Sequence, residues 1–191
     1  MSRSTHLLPS GYLLPSIHAA EPFFAQQPNP QTQAVALDHW TRLILGYARH
    51  RKLFFLRVED VDAPEGEWTE VLRNDRIKRK VKGGYLEHIL AHLVTKGVAA
   101  YEPPKQTRSV LLYWRLPEEW AEVLHEWAVN TGQMNTILTF YEIMEPPIES
   151  PLSGIPPTLL KTAIGILAKT GRAQTIAIPD GEGVRFFSQR K

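Results

Sequence analysis

The apolar positions of the chain fall into alternating helical and extended patterns. Leu37, Trp40, Ile44 and Tyr47 recur at i, i+3, i+7 and i+10 and predict a helix with one buried stripe, with Arg42 and Arg49 off it. Leu53-Phe54-Phe55-Leu56-Arg57-Val58 is aromatic and branched and reads as a strand. Residues 71–82 are basic and read as a short helical segment. Leu86, Ile89, Leu90 and Leu93 define another helix, with Gly97 as its stop. Val98–Tyr101 and Ser109–Trp114 read as two strands around a turn at Pro103-Pro104-Lys105-Gln106.

The second half repeats this order. Pro117 suits a first helical position, and Glu118 and Glu119 suit the positive end of the helix dipole. Trp120, Val123, Leu124 and Trp127 form the stripe and Gly132 ends it. A strand at Ile137–Tyr141 leads to residues 145–157, whose five prolines predict a loop or a distorted short helix. Leu160, Ala163, Ile164 and Leu167 mark the next helix, stopped by Gly171. Strands at Ala173–Ile178 and Gly183–Phe187 flank the hairpin turn Pro179-Asp180-Gly181-Glu182. The stops Lys96-Gly97 and Thr170-Gly171 lie 74 residues apart. A repeated helix, strand, helix, helix, strand, strand order is that of a winged helix. The expected fold class is α+β, two winged helices at 34–115 and 116–191 preceded by an extended proline-containing arm at 1–33.

That arm has five prolines and four glutamines, each proline removing a backbone donor, and is expected to have no core of its own. It nevertheless carries Phe23 and Phe24. Two placements are open: a tuck of both rings onto the arm's own domain, or insertion into another chain. Residues 59–70, with six acids, read as an exposed loop with Trp68 as the most exposed tryptophan. Trp40, Trp120 and Trp127 are expected in cores, and Trp114 at the domain junction.

Among 191 residues there is no cysteine, which excludes disulfides, thiol nucleophiles and Cys-ligated metals. No apolar run is long enough for a membrane span, and no convincing secretory signal is visible. The net charge of +2 divides into 16 Lys/Arg against 11 Asp/Glu over residues 1–115 and 6 against 9 over residues 116–191. Opposite signs suggest modules with different partners. Arg73, Arg76, Lys78, Arg79, Lys80 and Lys82 are candidate phosphate contacts of a DNA-binding winged helix. The next helix, however, offers Tyr85, Glu87, His88 and His92 and no Arg, Asn or Gln for base edges. His88 and His92 have zinc-ligand spacing but Ile89 follows the first where a metalloprotease has Glu, so no metal is expected. Walker A, GxGxxG and GxSxG motifs are absent, and no catalytic residue or cofactor is expected. Glu118, Glu122 and Glu126 form an i, i+4, i+8 stripe, which is either a solvated face or a docking surface for a basic partner.

Trp114-Arg115-Leu116-Pro117-Glu118-Glu119-Trp120, continuing through Trp127, Thr131–Asn135 and Thr139–Glu142, resembles the vacuolar protein sorting-associated protein 25 family. These are the small subunits of the ESCRT-II endosomal complex. Asp180–Phe187 resembles the family's closing strand, and Pro22-Phe23-Phe24 with Gln27-Pro28-Asn29 its proline–aromatic motif. The resemblance implies two winged helices and a non-enzymatic adaptor in multivesicular-body sorting of ubiquitinated cargo. It implies that Pro22, Phe23, Phe24, Gln27, Pro28 and Asn29 bind vacuolar sorting proteins 22 and 36. It also implies that the second winged helix recruits the ESCRT-III subunit vacuolar sorting protein 20, with Glu118, Glu122 and Glu126 as candidate contacts. The expected location is the cytoplasm, with recruitment to the endosomal membrane only indirectly through the complex and no nucleic acid as partner. A winged-helix DNA-binding regulator is the alternative.

Overall fold

The structure, a computed structural model, describes residues 5–188. The chain divides into two compact units, Met1–Trp114 and Arg115–Lys191.

The first unit is organised by α1 (Pro30–Arg51), which begins at the second proline of Pro28-Asn29-Pro30. Asn29 caps it by accepting from the backbone N–H of Gln31 and Thr32 at 2.9 and 3.1 Å. Leu37, Trp40, Ile44 and Tyr47, the predicted stripe, are all buried. Three antiparallel strands follow in the order β3-β7-β6, with β3 at Phe55–Arg57, β6 at Ala99–Tyr101 and β7 at Ser109–Leu112. Between β3 and β6 lies α3 (Gly83–Thr95), which buries Tyr85, Leu86, Ile89, Leu90 and Leu93. The second unit has the same plan. Its α4 (Pro117–Asn130), α5 (Phe140–Met144) and α6 (Pro157–Lys169) pack with the antiparallel order β8-β10-β9, at Ile137–Thr139, Gly181–Phe186 and Ala173–Ile178. Each sheet therefore places the last strand of its hairpin between the other two. Gly97 and Gly171 hold the same left-handed backbone, φ +72° and +71°, and end the corresponding helices α3 and α6. The fold is α+β with tandem winged helices.

Three parts of the first unit depart from expectation. Residues 5–33 are not an extended arm. A two-stranded hairpin, β1 (His6–Leu7) and β2 (Leu13–Leu14), leads into two 3-10 turns at Ser16–Ala19 and Glu21–Phe24, and α1 itself starts within the segment. Leu8, Leu14, Phe23 and Phe24 join the core. The prolines bar a long helix, but they do not prevent burial of apolar side chains set between them. Residues 71–82 form no basic helix. A single turn, α2 (Thr69–Leu72), gives way to a hairpin of β4 (Arg73–Asn74) and β5 (Arg79–Lys80). Stacking these cations on consecutive helical turns would concentrate like charge, and Lys78 instead takes a left-handed turn conformation. Trp68 is not exposed. It is 2% accessible, tilts against Tyr47 at 5.5 Å between centroids, and donates its indole N–H to the Phe55 carbonyl at 2.8 Å. The acidic residues beside it sit at the surface, so local composition masked a core ring.

Trp68→Ala is therefore expected to cost about 3–5 kcal/mol, as for a buried aromatic truncated to a cavity. Urea denaturation checks this; a loss within about 0.5 kcal/mol would place the ring at the surface.

Candidate partner-binding site

The proline–aromatic motif is held to α1 by its own rings. Phe23 stacks flat on Trp40, with centroids 4.2 Å apart and planes 4° from parallel. Phe24 meets Trp40 edge-on at 5.8 Å and Phe23 at 5.9 Å. The Trp40 indole N–H donates to the Phe23 carbonyl at 2.9 Å, so backbone and ring are fixed by one side chain. Both phenylalanines are 3% exposed. Burial of this kind contributes about 1.5–3 kcal/mol per ring, before any gain from ring–ring geometry. Of the two placements open in the sequence, both rings take the local tuck in the chain by itself.

The other motif residues divide between scaffold and surface. Gln27 donates its amide to the Pro22 and Ala25 carbonyls at 2.6 and 2.9 Å, while its backbone N–H donates to the buried Gln33 side chain at 2.6 Å. Gln33 in turn donates to the Tyr85 hydroxyl on α3 at 3.4 Å. Asn29 is occupied as the cap of α1. Pro22 and Pro28 are exposed. At Pro22 a cleft of ≈ 240 Å³ opens between the 3-10 turns and α1, lined by Ile17, Ala20, Pro22, Gln27, Val35 and His39 among others. Val35 is 57% exposed. It is an apolar residue off the buried stripe of α1, and that is the sequence signal by which this wall could have been found.

A second anchor lies at His18, which is 1% exposed. Its Nε2 is 2.7 Å from the Val71 carbonyl and donates to it in the neutral Nε2–H tautomer. Asn74 donates to the His18 carbonyl at 2.9 Å and faces Nδ1 at 3.4 Å. Burial holds the imidazole below its ordinary value of 6.5, with the charges of Arg76 and His6 acting the same way and the Val71 hydrogen bond opposing them.

In the second unit, Glu118 and Glu126 on α4 are exposed. Glu122 is clamped by Arg172 through two hydrogen bonds of 2.7 and 2.8 Å, which hold its carboxyl below the usual range. The stripe is thus already relieved at its centre from within the chain. Among the described residues no group of three or more metal-ligating side chains occurs, and His92 lies 3.6 Å from the Asp38 carboxylate.

The family model described as ESCRT-II complex subunit matches residues 17–150. The chain belongs to the ESCRT-II complex subunit family. It is 32% identical over 168 residues to vacuolar protein-sorting-associated protein 25 of Danio rerio, covering 87% of this chain and 93% of that protein. Identity to the Drosophila melanogaster relative of the same name is 33%, over 87% of this chain and 92% of that protein. The crystal structure of subunit VPS25 of the endosomal trafficking complex ESCRT-II superposes with a TM-score of 0.77 at 19% identity, over 90% of this chain and 98% of that one. A chain of the ESCRT-II complex VPS22/VPS25/VPS36 superposes at 0.76, over 94% and 100%. The matched span contains the whole proline–aromatic segment from Ile17 onward, the cleft beside it and α4.

A histidine buried neutral makes stability pH-dependent with a definite sign. The unfolded chain binds the proton more readily than the folded one, so His18 costs no stability above pH 6.5 and destabilises progressively as pH falls through that value toward its lower folded value. Urea midpoints measured between about pH 7.5 and pH 5 should fall more steeply for the natural chain than for His18→Gln. Equal slopes would mean that His18 is open to solvent.

Proposed function

We propose that the chain is a non-enzymatic adaptor of ESCRT-II, joining the larger subunits through its N-terminal segment and an ESCRT-III subunit through its second winged helix. The larger subunits are those named in the solved complex, VPS22 and VPS36. The carrying observation is the cleft beside the motif, with apolar and exposed walls on a segment whose rings are fixed to Trp40. A groove of that size, lined by Pro22 and Val35 among others, accepts a compact apolar side chain from a partner. Phe23 and Phe24 act here as internal anchors: they set the position of Pro22 and of the groove wall, and Gln27 and Asn29 fix the backbone on either side. A docking surface built on packed rings has little ordering entropy left to lose on association.

For the second winged helix, Glu118 and Glu126 supply the acidic contacts for a basic segment of the ESCRT-III subunit vacuolar sorting protein 20, and Glu122 orders the face through Arg172. In this reading the protein works in the cytoplasm and reaches the endosomal membrane as part of the complex.

Two experiments test the reading. Val35→Glu places a charge in the cleft wall without touching the core, and should leave the urea midpoint unchanged while co-purification with the two larger subunits is lost. Retention of the complex at natural yield would move the interface elsewhere. Glu118→Lys with Glu126→Lys should weaken binding of the ESCRT-III subunit by about tenfold or more, since reversing exposed charges opposes the partner's sign. Unchanged affinity by calorimetry would leave those carboxylates as a solvated face.

A further inference from the structure

We propose that the β4–β5 hairpin of the first unit docks directly on an anionic membrane surface. Six cations, Arg73, Arg76, Lys78, Arg79, Lys80 and Lys82, fall within ten residues that contain one acid, Asp75. The hairpin is a firm platform. Asn74 is buried and bonded to His18, and the Val81 N–H donates to the Leu72 carbonyl at 2.9 Å. The cations themselves are outside: Arg76, Lys78, Arg79, Lys80 and Lys82 are exposed and Arg73 is half-buried.

The fold neutralises only part of this charge. Asp75 pairs with Arg73 at 2.9 Å, Glu21 with Arg79 at 2.7 Å and Asp62 with Lys80 at 2.9 Å. Among the described residues no carboxylate lies within ion-pair distance of Arg76, Lys78 or Lys82. The cluster keeps a net charge of about +3 after its internal partners are counted. Arg73 and Lys80 also stand directly opposite each other across the strands. Each of these two has its own carboxylate, so the uncompensated charge is that of Arg76, Lys78 and Lys82.

The shape of the patch selects the partner. Arg73, Asp75, Lys78, Arg79 and Lys80 border an open cleft of ≈ 280 Å³, sufficient for a phosphate-bearing headgroup. The cleft lining contains no apolar side chain. A peptide partner is normally held by aromatic or aliphatic anchors in a desolvated pocket, and a DNA duplex is read by an element entering a groove. A short hairpin of flexible cations without an apolar socket fits a diffuse anionic surface, on which each Lys or Arg adds an increment set by charge density. In a family of endosomal trafficking subunits, an anionic lipid leaflet is the extended polyanion at hand. Contact of this kind would add a direct attachment to a membrane otherwise reached only through the complex, on a hairpin that borders the motif segment through the Arg79–Glu21 ion pair.

Co-sedimentation of the full chain with vesicles tests this. The vesicles are phosphatidylcholine alone or a roughly 7:3 mixture of phosphatidylcholine and phosphatidylserine, at about 0.1 M and about 0.5 M salt. The chain should pellet with the anionic vesicles at low salt only. The triple variant Arg76→Gln, Lys78→Gln, Lys82→Gln leaves the internal ion pairs in place and should lose roughly a hundredfold in partition, at unchanged circular dichroism. The equally neutralised control Lys96→Gln, Lys105→Gln, Lys169→Gln should pellet like the natural chain. Three results would overturn the proposal: absence of anionic-vesicle binding by the natural chain, equal binding by the triple variant, or an equal loss in the control. Capture by duplex DNA or poly-glutamate without capture by vesicles would also overturn it, in favour of a soluble polyanion.

Discussion

The flat stack of Phe23 on Trp40 is the contact on which the N-terminal third of the first unit depends. Trp40 stands on the buried stripe of α1, and one indole presents its face to Phe23, meets Phe24 edge-on and donates its N–H to the Phe23 carbonyl. A ring pair in offset or edge geometry is worth more than its area alone, and a buried indole needs a partner for its N–H; this site supplies both. From there the segment is fixed in two directions. Toward α1, Gln27 and Asn29 lock the backbone into the helix start. Toward the sheet side, His18 and Asn74 tie the first 3-10 turn to the β4–β5 hairpin.

Function follows from what this anchoring leaves outside. Because the rings face inward, the exposed elements are Pro22, Pro28 and the cleft wall that includes Val35. Because Asn74 is pinned, the hairpin beyond it projects cations without unfolding to do so. The two units then offer surfaces of different chemistry, apolar and basic on the first and acidic on α4 of the second. That division matches the opposite net charges of the two halves of the chain.

The repeated helix–strand–helix–helix–hairpin plan was legible because each stripe is periodic and each hairpin is bracketed by Gly or Pro. Leu86, Ile89, Leu90 and Leu93 are all buried on α3, and the glycine stops at 97 and 171 adopt the same left-handed conformation. What stayed hidden was tertiary burial of side chains in polar or proline-rich surroundings. Phe23, Phe24 and Trp68 are set among prolines, glutamines and acids, and only long-range packing against Trp40 and Tyr47 decides their fate. The basic run at 71–82 misled for a related reason: charge says where a segment is solvated, while Asn74 and the turn at Lys78 determine that it is a hairpin. Of the motif, the direction in which its rings point was left open by the sequence, and Val35 carried only a weak signal because a single apolar residue off a stripe is common on helix surfaces.

The most direct test is hydrogen exchange of the Trp40 indole N–H, followed by NMR in the free full-length chain and again in complex with the larger ESCRT-II subunits. With its donor locked onto the Phe23 carbonyl under a stacked ring, this proton should exchange only on unfolding of the unit, in both states. Rapid exchange in the free chain, or loss of protection on assembly, would show that the rings leave Trp40 and would contradict the account.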